Sequence, residues 1–371
     1  MKVLYPIFFV FIVFTLPFSA LAQENPAQSR ILEGKILEVL EEEDFIDQDG
    51  TAITQQNLKI EITSDEESGK IIIFEGIGEY AVVAKNIYEK GDRVLLMKDV
   101  DFEGNDFYYV TDYLRTGKIY FLAAIFILAV ITVGRWKGFM SLVSLFISFL
   151  VILKFIIPKI LSGSSPLLIS IVGGIVILFV AVYLTQGFNK KSHLINIALS
   201  ACFIFTGIFS FIFTNVTKLT GFASEEAIYL IGINDGTLNI KGLLLAGILI
   251  GALGVLDDVI VSQVSLVEQI KKANPSLTPR EVYKRALRVG VDHISSMTNT
   301  LFFAYAGAAL PLLILFSIKQ PPFLTFNQII SNEVIATEIV RTLVGSVGLI
   351  LAIPISNYLA SYFLNVPKAD K

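Results

Sequence analysis

Two patterns of hydrophobic and polar positions divide the chain. Between residues 31 and 116, short runs such as KIIIF and NDFYYVTDY alternate or are rich in β-forming residues, and turn signals such as Ser68-Gly69 separate them. Runs of this kind predict β-strands. We therefore expect one small β-barrel or sandwich of five or six strands, similar in rhythm to an OB or SH3-like barrel.

From residue 118 onward the apolar runs lengthen to about 20 residues, the length that crosses a bilayer. They predict a mostly α-helical membrane protein, in which a seven-helix transmembrane bundle follows the β domain. The expected spans are 118–134, 139–157, 166–185, 194–214, 242–266, 294–318 and 336–360. Between the fifth and sixth spans, Thr278 and Pro279 carry the signals of a capped helix start, so a surface helix is expected at 278–290.

The N-terminus has the pattern of a secretory signal peptide. Lys2 precedes an apolar stretch from Val3 to Phe18, and Ala20-Leu21-Ala22 forms an A-x-A ending. We expect a signal peptide at 1–22, an exported acidic β domain at 23–117 and a transmembrane domain at 118–371. An uncleaved anchor helix is the alternative, and in either case the β domain is exported.

Basic residues in the loops predict the orientation of the spans. The loops at 135–137, 186–193 and 267–293 are more basic than those on the other side of the predicted membrane. Because basic loops stay on the cytoplasmic side, these three are expected inside. Seven spans then place the C-terminus in the cytoplasm and the β domain outside.

Composition excludes a soluble enzyme. Of the 371 residues, 54% are hydrophobic and 17% are charged, whereas a soluble domain carries about 25% charged residues. The charges are unevenly divided: residues 23–117 hold 22 acidic and 9 basic side chains, and residues 118–371 hold 11 and 19. The single cysteine, Cys202, excludes an intrachain disulfide, and two histidines leave little for a zinc site.

The sequence lacks the common metal-binding, phosphate-binding and catalytic motifs. The acidic run Glu41–Asp44 lacks the spacing of a calcium-binding EF-hand loop, so we expect a solvated loop there. No phosphate loop, nucleophile elbow or HExxH motif occurs. We expect no enzymatic activity, no cofactor, no metal and no nucleic-acid partner, and the lipid bilayer as the surroundings of the second half.

Two adjacent carboxylates, Asp257 and Asp258, lie inside the fifth predicted span. A charged side chain at the bilayer centre costs at least about 2.5–3.5 kcal/mol, so the pair demands a reason. At 100° per residue, Asp258 shares a helix face with Gly247, Gly251 and Gly254. Glycines on such a face predict helix packing, which would place Asp258 within a packed interface.

The sixth span returns Asn299 and Thr298 to nearly the depth of Asp258. We expect them to be hydrogen-bond partners of a carboxylate that takes up H⁺ or coordinates Na⁺. The alternative is that the Asp–Asn–Thr set only locks two helices together. Glu338 and Arg341, three residues apart at the start of the last span, are expected to pair with each other.

The stretch GLLLAGILIGALGVLDDVIVSQVSLVEQI, followed by NPSLTPREVYKRALRVGVDHISSMTNTLFFAYAGAALPLLI, resembles the YibE/F-like family of bacterial membrane proteins. The resemblance extends from the exported domain through the last span. It implies a multi-pass protein of the bacterial plasma membrane, but no established activity.

The motif Gly254-x-x-Asp257-Asp258-x-Ile260-Val261 is also similar to a stretch of the RND superfamily, which includes proton-driven exporters and the SecD and SecF translocation factors. That resemblance implies that the aspartate pair relays protons. It also implies two assembled halves, which here means a homodimer or a related membrane protein. The chain departs from the superfamily in its single small exported domain, two extra spans before the motif and lack of a second repeat.

Two functions from different classes follow from these features. The first is a permease-like transporter coupled to H⁺ or Na⁺ through Asp257 and Asp258. The second is a non-transporting scaffold or assembly factor whose exported β domain binds a partner. A polar cavity that reaches Asp258 favours the first, and a dry, locked interface favours the second.

Overall fold

The computed structural model of the chain describes residues 30–46, 52–77, 87–100, 106–223, 226–227, 229–230, 238–319, 321 and 324–365. The predicted signal peptide, residues 1–22, lies outside this part of the chain. The protein divides into two compact units, Met1–Ala129 and Val130–Lys371.

The first unit contains an antiparallel sheet, as the alternating pattern predicts. In the described residues it has five strands: β1 Arg30–Ile46, β2 Ala52–Ile62, β3 Ile71–Glu75, β4 Arg93–Val100 and β5 Asp106–Tyr113. Their order across the sheet is β3-β2-β1-β4-β5. Alternate apolar side chains, among them Ile36, Leu58, Ile60 and Leu96, are fully buried on one face, because successive side chains of a strand point to opposite faces.

The acidic run Glu41–Asp44 is solvated as expected, but it is not a loop. Strand β1 continues through it to Ile46. The carboxylates of Glu41 and Asp44 accept hydrogen bonds from Asn57 at 3.0 Å and from Thr54 at 2.7 Å. Both partners lie opposite on β2, and such cross-strand pairs stabilise a strand that the charges alone disfavour.

A cluster of charges joins the turn before β3 to strands β4 and β5. Glu67 accepts from Lys98 at 2.6 Å and from the Tyr108 hydroxyl at 2.7 Å, and Lys98 also reaches Asp106 at 2.8 Å. The Lys98 ammonium is the first cause that lowers the pKa of Glu67 to about 2. The same bonds to Asp106 and Glu67 raise the pKa of Lys98.

The second half of the chain is helical. Its helices are α1 Thr116–Val151, α2 Ile157–Leu161, α3 Pro166–Gln186, α4 Lys190–Val216, α5 Ile240–Ala273, α6 Pro279–Ala308, α7 Leu310–Ser317, α8 Phe326–Ser331 and α9 Glu333–Phe363. A π-helical turn, Ile152–Ile156, joins α1 to α2. Capping side chains fix several starts: Asn189 accepts from the Ser192 amide, and Asn239 from the Gly242 amide.

The surface helix predicted at 278–290 is the first part of α6. Thr278 and Glu281 form a reciprocal capping box, in which each side chain accepts from the other residue's backbone amide. Pro279 occupies the first turn, where its missing N–H has no intrahelical partner to lose. The helix then continues into the sixth predicted span without a break.

Helices α4, α5 and α9 form the centre of the bundle. An added Cβ on Gly348 of α9 would overlap Thr206 Oγ1 of α4, and one on Gly207 of α4 would lie 3.4 Å from the Leu249 side chain of α5. Large apolar side chains fill the space between them, and Phe203 and Leu249 are fully buried. Small residues at the crossings let the backbones come this close.

The structure does not confirm the count of seven spans. In the described residues, five helical runs are long and apolar enough to cross a membrane, or six if α6 and α7 form one bent span. The axis bends by 71° between α6 and α7. Pro311 follows this bend, where its ring removes a hydrogen-bond donor and crowds the preceding turn.

The first two predicted spans, 118–134 and 139–157, lie in one continuous run, Thr116–Leu161. That run is broken at Arg135, whose φ of 49° and ψ of −131° are not helical. An added Cβ on Gly138 would lie 3.1 Å from the carbonyl carbon of Val130, although residues eight apart in a straight helix are separated by about 12 Å. The chain therefore turns back at Arg135, which favours two spans in this run, and the seven-span count stays a prediction.

Candidate functional site

Two contacts set the register between α5 and the antiparallel α6. At one end, a Cβ on Gly290 of α6 would lie 3.2 Å from Gln263 Oε1 of α5. Further along, the hydroxyl of Tyr305 lies 3.6 Å from the position of a Cβ on Gly251. Interpolating between these contacts places Thr298 level with Asp257. The sequence predicts the next residues, Asn299 and Asp258, to lie within about one helical turn of each other in depth.

Asp257 and Thr298 each leave a buried polar atom without a partner. Among the described residues, neither Asp257 Oδ1 nor Thr298 Oγ1 has a hydrogen-bond partner. The side chains of both residues are partly buried. The carboxylate oxygen would be satisfied by a proton, a cation or a water molecule, and the hydroxyl at the same level by a water molecule.

Asp258 and Asn299 are exposed instead. Within the described chain Asp258 therefore does not lie in a packed interface, and a packed interface with a second protein stays a prediction. Helix α5 turns its large aliphatic side chains toward the core, including Leu249, Leu256 and Ile260. Large side chains make more van der Waals contacts with the neighbouring helices than a glycine face does, and such contacts drive helix association in a membrane.

The three predicted packing glycines lie on this exposed face of α5. A Cβ added to Gly247 or Gly254 would meet no described atom within 4 Å, and one on Gly251 would meet only the Tyr305 hydroxyl. No other helix of the described chain therefore packs closely against these glycines. Their packing against a second protein stays a prediction, as does the ion-coupling role of Asp257, Asp258, Asn299 and Thr298.

A cluster of buried amides, which sequence analysis missed, lies between Asp257 and the Ala273 end of α5. Asn357 donates from Nδ2 to Gln263 Oε1 at 3.1 Å, and both side chains are almost completely buried. Asn196 on α4 is 2% exposed, and neither of its amide atoms has a described partner. Each amide lies inside a predicted apolar span, where a polar side chain requires a partner. That position in the sequence is the signal by which these amides could have been found.

Charged side chains border the same end of the bundle. Glu268 on α5 binds Lys191 of α4 at 2.9 Å and Lys272 one turn later on its own helix at 2.6 Å. One carboxylate thereby bridges two ammonium groups, and the cluster keeps one net positive charge. Ion pairs of this kind mark the point where the bundle meets water.

At the opposite end of α5, a cavity of about 220 Å³ opens between α5 and α9. Its lining includes Gly247, Thr337, Glu338 and Arg341, but not Asp257 or Asp258. Glu338 Oε1 and Arg341 Nη1 are 3.0 Å apart, which confirms the predicted pair. Two polar atoms here, Thr337 Oγ1 and Arg341 Nε, are buried without a described partner.

Metal ligands do not cluster in the part of the chain that the structure describes. There, no group of three or more His, Cys, Asp or Glu side chains is arranged to hold a metal ion.

Comparison with known proteins gives one match. The sequence model of a family described as YibE/F-like protein matches residues 122–366, a range that holds the Asp257–Thr298 pair, the amide cluster and the cavity. No curated protein and no solved structure matches the chain. The fainter resemblance to the RND superfamily is not shown by these comparisons.

Proposed function

The chain belongs to the YibE/F-like family, and we propose that this membrane protein is a permease-like transporter coupled to H⁺ or Na⁺ through the carboxylate of Asp257. The observation that carries the proposal is the unpartnered pair of buried atoms, Asp257 Oδ1 and Thr298 Oγ1. A carboxylate kept in an apolar helix without a fixed partner is costly for folding, which suggests a role other than packing.

The pair can exist in two states that differ by one proton. The two groups do not bond each other in the structure, so a bound water would connect them. With Asp257 ionised the carboxylate accepts from this water, and with Asp257 protonated the acid donates to it, because water both donates and accepts. Na⁺ would instead be coordinated by the carboxylate and hydroxyl oxygens together.

Asp258 is the natural control, because it is the same residue type one position further along α5. Wild type, Asp257→Asn and Asp258→Asn would each be reconstituted in liposomes that contain either a pH dye or a Na⁺-sensitive dye, under imposed H⁺ and Na⁺ gradients. We expect ion flux in the wild type and in Asp258→Asn, and its loss in Asp257→Asn. Equal flux in Asp257→Asn and wild type, or no flux in any protein, would overturn the proposal.

The proposal includes a location and an assembly. The protein resides in the bacterial plasma membrane, with the β domain outside and the C-terminus in the cytoplasm. A carboxylate facing lipid is unfavourable, so the exposed Asp258 face is covered by a second copy or a related membrane protein. A single disulfide-linked dimer formed by Gly254→Cys in a Cys202→Ala background would support a homodimer, and the absence of cross-linking would count against it.

The second candidate is the scaffold, and exposed apolar side chains on the sheet favour it. Ile71 and Ile73 on β3 are 55% and 64% exposed, and apolar side chains that face water mark partner surfaces when they cluster. The scaffold predicts that Ile71→Ser/Ile73→Ser abolishes photocross-links made in cells from position 75, the next exposed position of β3. It also predicts that Asp257→Asn leaves those cross-links unchanged.

A further inference from the structure

The cavity between α5 and α9 is built by a fixed chain segment. Glu333, at the start of α9, accepts from the Thr220 hydroxyl at 2.7 Å and from the Gly221 amide at 2.9 Å. Gly221 has a φ of 90°, and a Cβ there would lie 2.8 Å from the Ile240 carbonyl oxygen. Only glycine fits this approach, which holds the segment against the start of α5 and closes one side of the cavity.

The walls of the cavity are of two kinds. Ile240, Leu243, Leu244 and Val334 provide an aliphatic surface. The polar side comes from α9 alone, where Thr337, Glu338 and Arg341 follow one another at helical spacing. A pocket with a mainly apolar wall and a few convergent polar groups is the usual form of a small-molecule site.

The polar side has unused hydrogen-bonding capacity. Thr337 is 5% exposed, and its hydroxyl has no partner among the described residues. Arg341 uses Nη1 on Glu338 Oε1, while its Nε is buried and unpartnered. A guanidinium presents several donors in one plane and takes a carboxylate in a two-point contact.

The charges in the cavity cancel, and this restricts the ligand. A carboxylate can bind Arg341 Nε and the Thr337 hydroxyl, but it adds a negative charge beside Glu338. An ammonium group on the same ligand compensates this charge, because Glu338 has a second carboxylate oxygen available to accept from it. A ligand with both groups leaves the net charge of the site unchanged.

We propose that this cavity binds a small aliphatic zwitterion of the α-amino-acid type, with the carboxylate on Arg341 and Thr337, the ammonium group on Glu338, and the side chain against Leu243, Leu244 and Val334. The volume of about 220 Å³ corresponds to roughly seven waters at about 30 Å³ each, which suits a molecule with fewer than about ten non-hydrogen atoms. As a binding site the cavity does not depend on transport; as the cargo site of the carrier it rests on the proposed function.

Three probes of similar size test the ligand's carboxylate and ammonium groups separately. L-valine carries both charges, 3-methylbutanoate only the carboxylate and 2-methylpropylamine only the ammonium group. Binding to the full chain in lipid nanodiscs would be measured by calorimetry. We expect valine to bind at least about tenfold more tightly than either analogue, since each analogue leaves one member of the ion pair uncompensated.

Variants of α9 then assign the contacts. Thr337→Val keeps the shape and removes the hydroxyl, and we expect it to weaken valine binding at least about fivefold. Thr342→Val is the matched control, because its hydroxyl bonds the Glu338 carbonyl oxygen within the helix and does not line the cavity. Glu338→Gln removes the negative charge, so its preference is expected to shift from valine to 3-methylbutanoate.

Each remaining outcome overturns the proposal. Absence of valine binding in the wild type, equal binding of the three probes, or tighter binding of 3-methylbutanoate excludes a zwitterion site. Equal weakening by Thr337→Val and Thr342→Val excludes the assigned contact. Valine calorimetry on the wild type needs no ion gradient, and the liposome flux assay needs no valine, so failure of ion coupling and failure of this site are measured separately.

Discussion

The crossing of α4 and α9 makes a quantitative prediction about Gly348. An added Cβ would come within 3.0 Å of Thr206 Oγ1, a separation that real Cβ atoms essentially never show. Thr206 cannot rotate away freely, because its hydroxyl donates to the Cys202 carbonyl at 2.8 Å in a buried position. Gly348→Ala therefore overpacks the crossing.

Two opposing contributions set the size of the effect. Overpacking a dense core destabilises by about 1–3 kcal/mol, while Gly→Ala inside a helix stabilises by about 0.5–1 kcal/mol. The net result in the wild-type background is destabilisation of up to about 2.5 kcal/mol. In a Thr206→Ala background the remaining Cβ of residue 206 lies at the ordinary contact distance of 3.5 Å, so Gly348→Ala should become stabilising.

The single cysteine offers the assay. Cys202 is 1% exposed, so a thiol-reactive dye labels it only on unfolding, and the labelling temperature reports stability. A change of 1 kcal/mol shifts the melting temperature by about 2–4 °C in a domain of about 150–250 residues. Gly345→Ala is the control, because its Cβ would meet no described atom within 4 Å, and it should show no coupling to Thr206→Ala.

A double-mutant cycle tests whether α4 and α9 meet at Thr206 and Gly348. A double-mutant cycle between Gly348→Ala and Thr206→Ala should give an interaction of about 1–3 kcal/mol. An interaction below about 0.5 kcal/mol, or the same interaction with Gly345→Ala, would show that the two helices do not meet at these residues.

Two further predictions concern the ion pairs of Glu67 and the helix cap at Thr278. Because the pKa of Glu67 is lowered from 4.5 to about 2, its contribution to folding is complete above pH 4.5 and is lost as the pH falls toward 2. Pepsin should therefore cleave Glu67→Gln faster than the wild type near pH 4.5, and the two cleavage rates should converge near pH 2. The variant Glu66→Gln, at an exposed neighbouring residue, should be cleaved like the wild type at both pH values. Thr278→Ala should destabilise the start of α6 by about 1 kcal/mol and speed amide exchange in its first turn, whereas Thr278→Ser, which keeps the hydroxyl, should not; equal exchange in both variants would contradict the role of the cap.

Local signals account for what could be predicted of the fold. Predicted span 166–185 and helix Pro166–Gln186 nearly coincide, because proline at the start and Gly187 just after the end are both written in the sequence. Strands were identifiable for the same reason, since alternation depends only on neighbouring residues. The capping box at Thr278 is another feature that four residues determine.

Tertiary competition accounts for what could not be predicted. The face of α5 that packs is decided by its aliphatic side chains against α3, α4 and α9, and a helical wheel drawn for α5 alone favours the glycine face instead. Likewise, the burial of Asn196 becomes evident only when α4, α5 and α9 are packed together. The depth of Thr298 relative to Asp257 could be estimated, since both helices share a short connection and a fixed rise per residue.

The turn at Arg135 affects more than the helix that contains it. Each crossing of a membrane exchanges the side on which the following segment emerges, so the sidedness of residues 136–371 depends on whether the count before them is odd or even. In the seven-span prediction, the reversal at Arg135 supplies one of these crossings, and the side of the membrane that each end of α5 faces depends on it.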